Sequence, residues 1–130
     1  MHRLVSMLLL VVAVIHLLPL PGVLGTERLA ALYGIDAADP NLALLLRHRA
    51  VLFGLLGAGC AIAAFRRDWQ TAALIAAGAS TVSFLWLALS IGNYNTAVAR
   101  VVTADIVAIV CVVLAAMLRI LSLRHDRGHP

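Results

Sequence analysis

Apolar residues form four long blocks, near residues 4–21, 42–65, 69–92 and 101–121, and the stretches between the blocks carry most of the charge. Each block has about 18 to 25 residues, which is enough for an α-helix to cross a hydrocarbon core of about 30 Å. Because a backbone in lipid must satisfy its hydrogen bonds internally, each block is expected to be helical. The pattern predicts an all-α integral membrane four-helix bundle that forms one domain over residues 1–130.

The longest connection, residues 22–40, has a pattern of its own. From Thr26 to Tyr33 the apolar positions fall on one side of a helix, which is typical of a short amphipathic helix at the membrane interface. Asp39 or Asn41, together with Pro40, suits the first turn of the second span. We therefore expect an interfacial helix in this outer loop, followed by a capped second span.

Composition excludes an ordinary soluble domain. The chain is 63% hydrophobic and 12% charged, with a mean hydropathy of +1.02, whereas soluble domains are roughly half apolar and a quarter charged. The net charge is +4, but the sequence has no lysine and most of its arginines flank the apolar blocks. This placement indicates membrane orientation and argues against a nucleic-acid partner.

Arginine counts on the two sides of the membrane predict the orientation. If the N-terminus is inside, the inner segments hold six arginines against two aspartates, and the outer segments hold four arginines against four acids. Cytoplasmic segments carry the excess of positive charge, so both termini and the tail at 122–130 are expected in the cytoplasm. The first block also resembles a signal peptide. We expect it to be kept as a span, because its removal would leave three.

A basic triplet, Arg47, His48 and Arg49, lies about two turns into the second span. A central arginine costs about 2.5–3.5 kcal/mol on insertion scales, so such charge persists mainly where it faces protein, water or a ligand. Asp105 lies one turn inside the fourth span, and we expect it within ion-pair reach of Arg47, Arg49 or Arg100. Small residues at spacings of three and four from Arg47 predict a buried helix seam. The seam residues are Ala50, Gly54, Gly57 and Ala61.

The orientation places most of the other polar side chains in the same outer third. The candidate catalytic residues are His48, Asp105 and Glu27, which could move or hold a proton. The candidate binding residues are Arg47, Arg49, Trp86, Ser90, Asn93, Tyr94, Arg100 and His16. Ser83, Trp86, Ser90 and Asn93 share a stripe on the third span and are expected to form a wall of an outer-leaflet pocket. No metal ligand set and no cofactor are predicted.

Three function classes fit this pocket. The first is binding of a membrane lipid or a small hydrophobic or amphiphilic molecule, in a non-catalytic or assembly role, and this class is slightly favoured. The second is an enzyme of isomerase or hydrolase type that acts on a small lipophilic substrate. The third is a metal or haem module, since His16 and His48 lie at comparable depth. The small-residue seams would serve either packing within one chain or a homodimer.

The two cysteines, Cys60 and Cys111, lie inside different spans and form no CxxC motif. We expect both to be small packing residues without a disulfide. The absence of CxxC argues against a quinone-linked thiol oxidoreductase.

The runs LYGIDAADPNL, LLRHRAVLFGLLG and GNYNTAVARVVTAD resemble a bacterial family of small four-helix integral membrane proteins for which no reaction is established. The resemblance covers nearly the whole chain and implies four spans in a bacterial inner (cytoplasmic) membrane. Sequences of this kind have carried the label phosphopantetheine adenylyltransferase. That soluble enzyme uses a nucleotide-binding α/β fold and an HxGH motif, and this sequence has neither. The size and layout are also similar to small-molecule-handling bundles of the DoxX or sterol-isomerase type.

Overall fold

The computed structural model describes residues 2–127, with the side chains of residues 2–124. Five α-helices and one short 3-10 helix make up this part of the chain. They are α1 (His2–Leu17), the 3-10 helix (Leu20–Leu24), α2 (Thr26–Tyr33), α3 (Pro40–Phe65), α4 (Arg67–Ile91) and α5 (Thr96–Arg127). The predicted all-α four-helix bundle is confirmed, and α2 forms over the predicted residues, Thr26–Tyr33.

The helix boundaries follow local sequence chemistry. Helix α1 ends at Leu17, two residues before Pro19, which is the N-cap of the 3-10 helix. Gly34 ends α2 with φ of +63°, a left-handed conformation that glycine adopts without steric cost. Asp39 caps α3, since its carboxylate accepts hydrogen bonds from the N–H groups of Asn41 (2.7 Å) and Leu42 (3.0 Å).

Helix α5 is longer than its apolar block predicts. It begins at Thr96, five residues before the predicted start at 101, because Asn95 caps it. The Asn95 side-chain oxygen accepts a hydrogen bond from the N–H of Val98 at 2.8 Å. At its other end α5 continues to Arg127, so the described part of the predicted tail is helical.

Four long helices close into a ring in which α1 contacts α3 and α5, and α4 contacts the same two helices. Small residues allow the closest approach, between α1 and α3. Ala50, Gly54 and Gly57 of the predicted seam are buried, and Ala61 is half-buried. The main core lies toward the termini and includes both free cysteines, Cys60 and Cys111. We call the opposite end, which carries α2 and the 3-10 helix, the α2 end.

The outer surface of the bundle is apolar. Leucine, isoleucine and valine side chains on all four long helices are exposed, and only about a quarter to a third of each span is buried within the chain. Four segments are long and apolar enough to cross a membrane. They are His2–Leu24, Pro40–Phe65, Arg67–Ile91 and Thr96–Arg124. An apolar surface of this extent requires lipid around it, so the chain is a multi-pass membrane protein.

Candidate functional site

A cavity of about 250 Å³ lies at the α2 end, where α1, α2, α3 and α5 meet. Most of its lining is apolar, and the polar lining groups come from Tyr33, Arg100 and Asp105. The lining residues are Ile15, Leu18, Pro19, Ala31, Leu32, Tyr33, Phe53, Ala97, Arg100, Val101, Ala104 and Asp105. An apolar cavity with a few polar groups is the usual form of a small-molecule site.

Asp105 is the acidic residue of this cavity. Its side chain is only 4% exposed although it lies within a membrane-spanning helix. The positive charge of Arg49 acts on its carboxylate. In the described part of the chain, however, no arginine forms a direct ion pair with Asp105. The predicted burial of this aspartate is therefore found, while the expected contact pair is not, and the carboxylate is left facing the cavity.

Arg49 lies in a cage of three aromatic rings. Its guanidinium carbon is 4.9 Å from the ring centre of Phe53, 5.3 Å from that of Tyr33 and 5.4 Å from that of Phe84. All three distances are within the range of cation–π attraction. The rings belong to α2, α3 and α4, so this one side chain links three helices beside the cavity.

Two buried polar atoms beside the cavity have no hydrogen-bond partner. The Tyr33 hydroxyl is buried and unpaired, and the residue is 5% exposed. His16 is 1% exposed and stacks on Phe53, with ring centres 5.5 Å apart. Its Nδ1–H donates to the backbone oxygen of Val12 at 2.9 Å, which leaves Nε2 as an unpaired acceptor. Unpaired buried polar atoms are costly, and water or a bound molecule can satisfy them.

Asn95 holds α2 against the start of α5. While its oxygen caps α5, its side-chain nitrogen donates to the backbone oxygens of Tyr33 (2.8 Å) and Gly34 (3.2 Å). The next residues of α5, from Ala97 onward, line the cavity. One side chain thus positions both α2 and the start of α5, which line the cavity on two sides.

The structure brings together four of the predicted site residues and separates the others. His16, Arg49, Arg100 and Asp105 lie in or beside the cavity. Arg47 and His48 are exposed and line a groove on the outside of α3, together with Val23 of the 3-10 helix. Consecutive residues of a helix point about 100° apart, so the triplet divides between the two faces of α3.

The remaining predicted residues are exposed and do not line the cavity. Glu27 lies in the first turn of α2, and Tyr94 and Asn93 lie in the connection before α5. The stripe on α4 faces outward, and Trp86 is 65% exposed. The Ser90 hydroxyl donates to the backbone oxygen of Trp86, so it needs no partner from another helix.

The sequence analysis did not identify the three aromatic side chains around Arg49, which are Tyr33, Phe53 and Phe84. Phe53 follows Arg49 by four residues, which is the spacing at which helix side chains contact each other, so this pair could have been recognised. Tyr33 and Phe84 come from other helices, and no local pattern connects them with Arg49.

Among the described residues, no three His, Cys, Asp or Glu side chains come together as a metal site would require. His16 and His48 share no cavity, since His16 stacks inside the bundle and His48 lines the outer groove.

Comparison with known proteins gave no match to a protein-family model, to a curated protein or to a solved structure.

Proposed function

We propose that this protein binds a small amphiphilic molecule or lipid in the cavity at the α2 end, in a non-catalytic role. The observation that carries the proposal is Asp105, a nearly buried carboxylate that lines an apolar cavity without a direct ion-pair partner in the described chain. A charged group in a membrane-spanning helix is retained mainly where it serves a ligand, water or another charge.

The lining indicates how such a ligand would lie. Its apolar part would pack on side chains such as Ile15, Leu18 and Leu32. Its polar part would meet Asp105 and Arg100, the charged residues of the lining. These groups offer both donors and an acceptor, so a hydroxyl, amide or zwitterionic head group matches them better than a simple anion does.

The geometry favours binding over catalysis. The predicted isomerase or hydrolase would use His48 or Glu27 together with Asp105 to move a proton. Neither of these two residues lines the cavity, because His48 faces the outer groove and Glu27 is exposed on α2. The same separation of His48 from His16 speaks against a bis-histidine haem module.

The membrane and orientation are part of the proposal. We place the chain in a bacterial inner membrane with both termini in the cytoplasm, on the basis of the arginine distribution. The α2 end then faces the outer leaflet. A C-terminal green fluorescent protein fusion should fluoresce and a C-terminal alkaline phosphatase fusion should be inactive, and the reverse pair of results would contradict this orientation.

Membership of the four-helix family is proposed on the three sequence runs that resemble it. Each run supplies residues to the cavity region: Tyr33 from the first, Arg49 and Phe53 from the second, and Arg100 and Asp105 from the third.

The test is extraction of the purified protein and mass spectrometry of the small molecules that accompany it. Ala31 and Ala30 are neighbouring exposed residues of α2, but only Ala31 lines the cavity. We expect a discrete molecule with wild type and with Ala30→Trp. It should be lost from Ala31→Trp, whose side chain would block the mouth, and reduced in Asp105→Asn. A wild-type protein without any such molecule, or equal loss in both tryptophan variants, would contradict the proposal.

A further inference from the structure

A second feature of the α2 end is a groove on the outside of the bundle, between α3 and the 3-10 helix. It has two parts, of about 550 and 520 Å³, that share Val23 and Val51. The first part is entirely apolar and is lined by Leu20, Pro21, Val23, Leu24, Val51, Gly54 and Leu55. The second part adds two basic side chains, Arg47 and His48, next to apolar residues at the start of α3.

The Arg47 side chain is held in place but retains donors for a ligand. Its Nε–H donates to the backbone oxygen of Val23 at 2.9 Å, which fixes the guanidinium at the junction of the two parts. A guanidinium has five N–H donors, and this hydrogen bond uses one of them. His48 is exposed beside it. The acid that precedes α3, Asp39, is occupied by the first-turn N–H groups of Asn41 and Leu42.

The depth of Arg47 in the membrane matches that of a lipid phosphate group. Helix α3 has 26 residues, or about 39 Å, which exceeds a hydrocarbon core of about 30 Å by a few ångströms at each end. Arg47 is the eighth residue of α3, about 10 Å from its start. An arginine there lies just inside the hydrocarbon and extends its charged end to the phosphate layer.

We propose that this groove binds an anionic phospholipid, with its phosphate on Arg47 and His48 and an acyl chain along the apolar part. Charge complementarity selects this occupant, because the groove combines two basic side chains with an apolar channel of lipid-facing residues. Arginine forms charge-assisted hydrogen bonds with phosphate. In a zwitterionic head group the ammonium offsets the phosphate charge, so the two basic side chains attract it less than an anionic head group. The site is separate from the cavity, since the two share no lining residue.

The test is native mass spectrometry of the detergent-purified protein titrated with dioleoyl phosphatidylglycerol or dioleoyl phosphatidylcholine, which differ in head-group charge but not in chains. We expect phosphatidylglycerol to bind wild type about tenfold more tightly. The double variant Arg47→Gln/His48→Gln should lose this preference. Arg28→Gln, which removes an exposed arginine at the same end, should keep it. Equal binding of the two lipids to wild type, or equal loss in Arg28→Gln, would overturn the proposal.

Two further variants separate alternative explanations. Val51→Trp retains both basic side chains but fills the groove, so it should weaken binding of both lipids. If inorganic phosphate binds the protein and Val51→Trp leaves phosphatidylglycerol binding unchanged, the site takes phosphate alone and the proposal fails.

Asp105→Asn should bind phosphatidylglycerol as wild type does, so failure of the cavity ligand and failure of the groove lipid can be told apart. Protection of Cys60 and Cys111 from thiol reagents shows that each variant is folded, because both cysteines are buried.

Discussion

Arg49 lies in a membrane-spanning helix, and its aromatic cage accounts for how the charge is tolerated there. Three ring faces within 5.4 Å replace part of its hydration. The Asp105 carboxylate adds an opposite charge nearby. The guanidinium is thus a structural centre for α2, α3 and α4 as well as a neighbour of the cavity.

Replacing Arg49 should therefore destabilise the bundle more than replacing an exposed arginine does. We expect Arg49→Gln to lower the free energy of unfolding by about 2 kcal/mol, because it removes the cation from all three rings. The measurement is the reactivity of the buried Cys60 and Cys111 during titration with sodium dodecyl sulfate. Arg28→Gln is the matched control. Equal unfolding midpoints for the two variants would show that the cage contributes no stability.

Asp39 makes the start of α3 sensitive to pH. Hydrogen bonds from the N–H groups of Leu42 and Asn41 hold the pKa of its carboxyl below the ordinary value. Because the folded state has the lower pKa, this stabilisation is complete above the ordinary pKa of about 3.9 and is lost as the pH falls through the folded value. In hydrogen exchange, the first turn of α3 should lose protection in acid in wild type. The asparagine of Asp39→Asn caps the helix without a charge, so this variant should keep its protection in acid. Equal acid sensitivity of the two proteins would contradict this prediction.

At the scale of single residues, the sequence identified the unusual charges but not their contacts. A triplet on a helix must point in three directions, and composition alone does not decide which member faces inward. Ala50, Gly54 and Gly57 were correctly predicted to be buried, yet Arg47, which continues the same spacing, is long enough to leave that face and reach Val23. The contact of Arg49 with Phe84 depends on how α3 and α4 pack, which no local pattern encodes.

At the scale of helices, the close contact of α1 and α3 depends on one glycine. A Cβ atom added to Gly57 would lie 2.8 Å from Cγ of Leu17 and 3.0 Å from the backbone oxygen of Ala13. A Cβ added to Gly59, two residues further along α3, would meet nothing within 4 Å. The two positions differ in packing but share the same helix and the same residue type.

Alanine substitutions at these positions should therefore have opposite effects. Gly57→Ala should lower the free energy of unfolding by about 1–3 kcal/mol, because α1 must move away. Gly59→Ala should leave it unchanged or raise it by up to about 1 kcal/mol, because alanine favours a helix. Both are measured by detergent-induced unfolding. A stable Gly57→Ala protein would mean that α1 and α3 do not pack this closely.

The four spans and α2 could be predicted because bilayer thickness and helical periodicity act on the sequence directly. The face of α4 that packs against the other helices could not be predicted. Its buried residues are Gln70, Leu74, Ala77, Thr81 and Ala88, while an equally regular stripe of alanine and serine faces outward. In lipid, small and self-bonded polar residues are tolerated on either face, so polarity does not reveal the packed side. The early start of α5 depends on Asn95, whose capping role the pattern of apolar residues does not indicate.

At the scale of the whole molecule, the buried Asp105, the caged Arg49 and the unpaired polar atoms of His16 and Tyr33 lie at the α2 end of a closed ring of helices. The opposite end and the middle are filled by a core of valine, leucine, alanine and cysteine. The cavity at the α2 end therefore has a packed floor and walls from α1, α3 and α5, and α2 covers it. Binding of a ligand in this cavity is the central claim of the proposed function.

Photo-crosslinking from inside the cavity tests this claim most directly. A small diazirine-bearing aliphatic residue would replace Val101, which lines the cavity, or Val113, which is exposed on the same helix. After irradiation in native membranes, intact mass spectrometry would give the mass added to the protein. We predict one discrete added mass at position 101 and a mixture of bulk lipid masses at position 113. The same lipid mixture at both positions, or no adduct at position 101, would contradict the account of this cavity as a binding site.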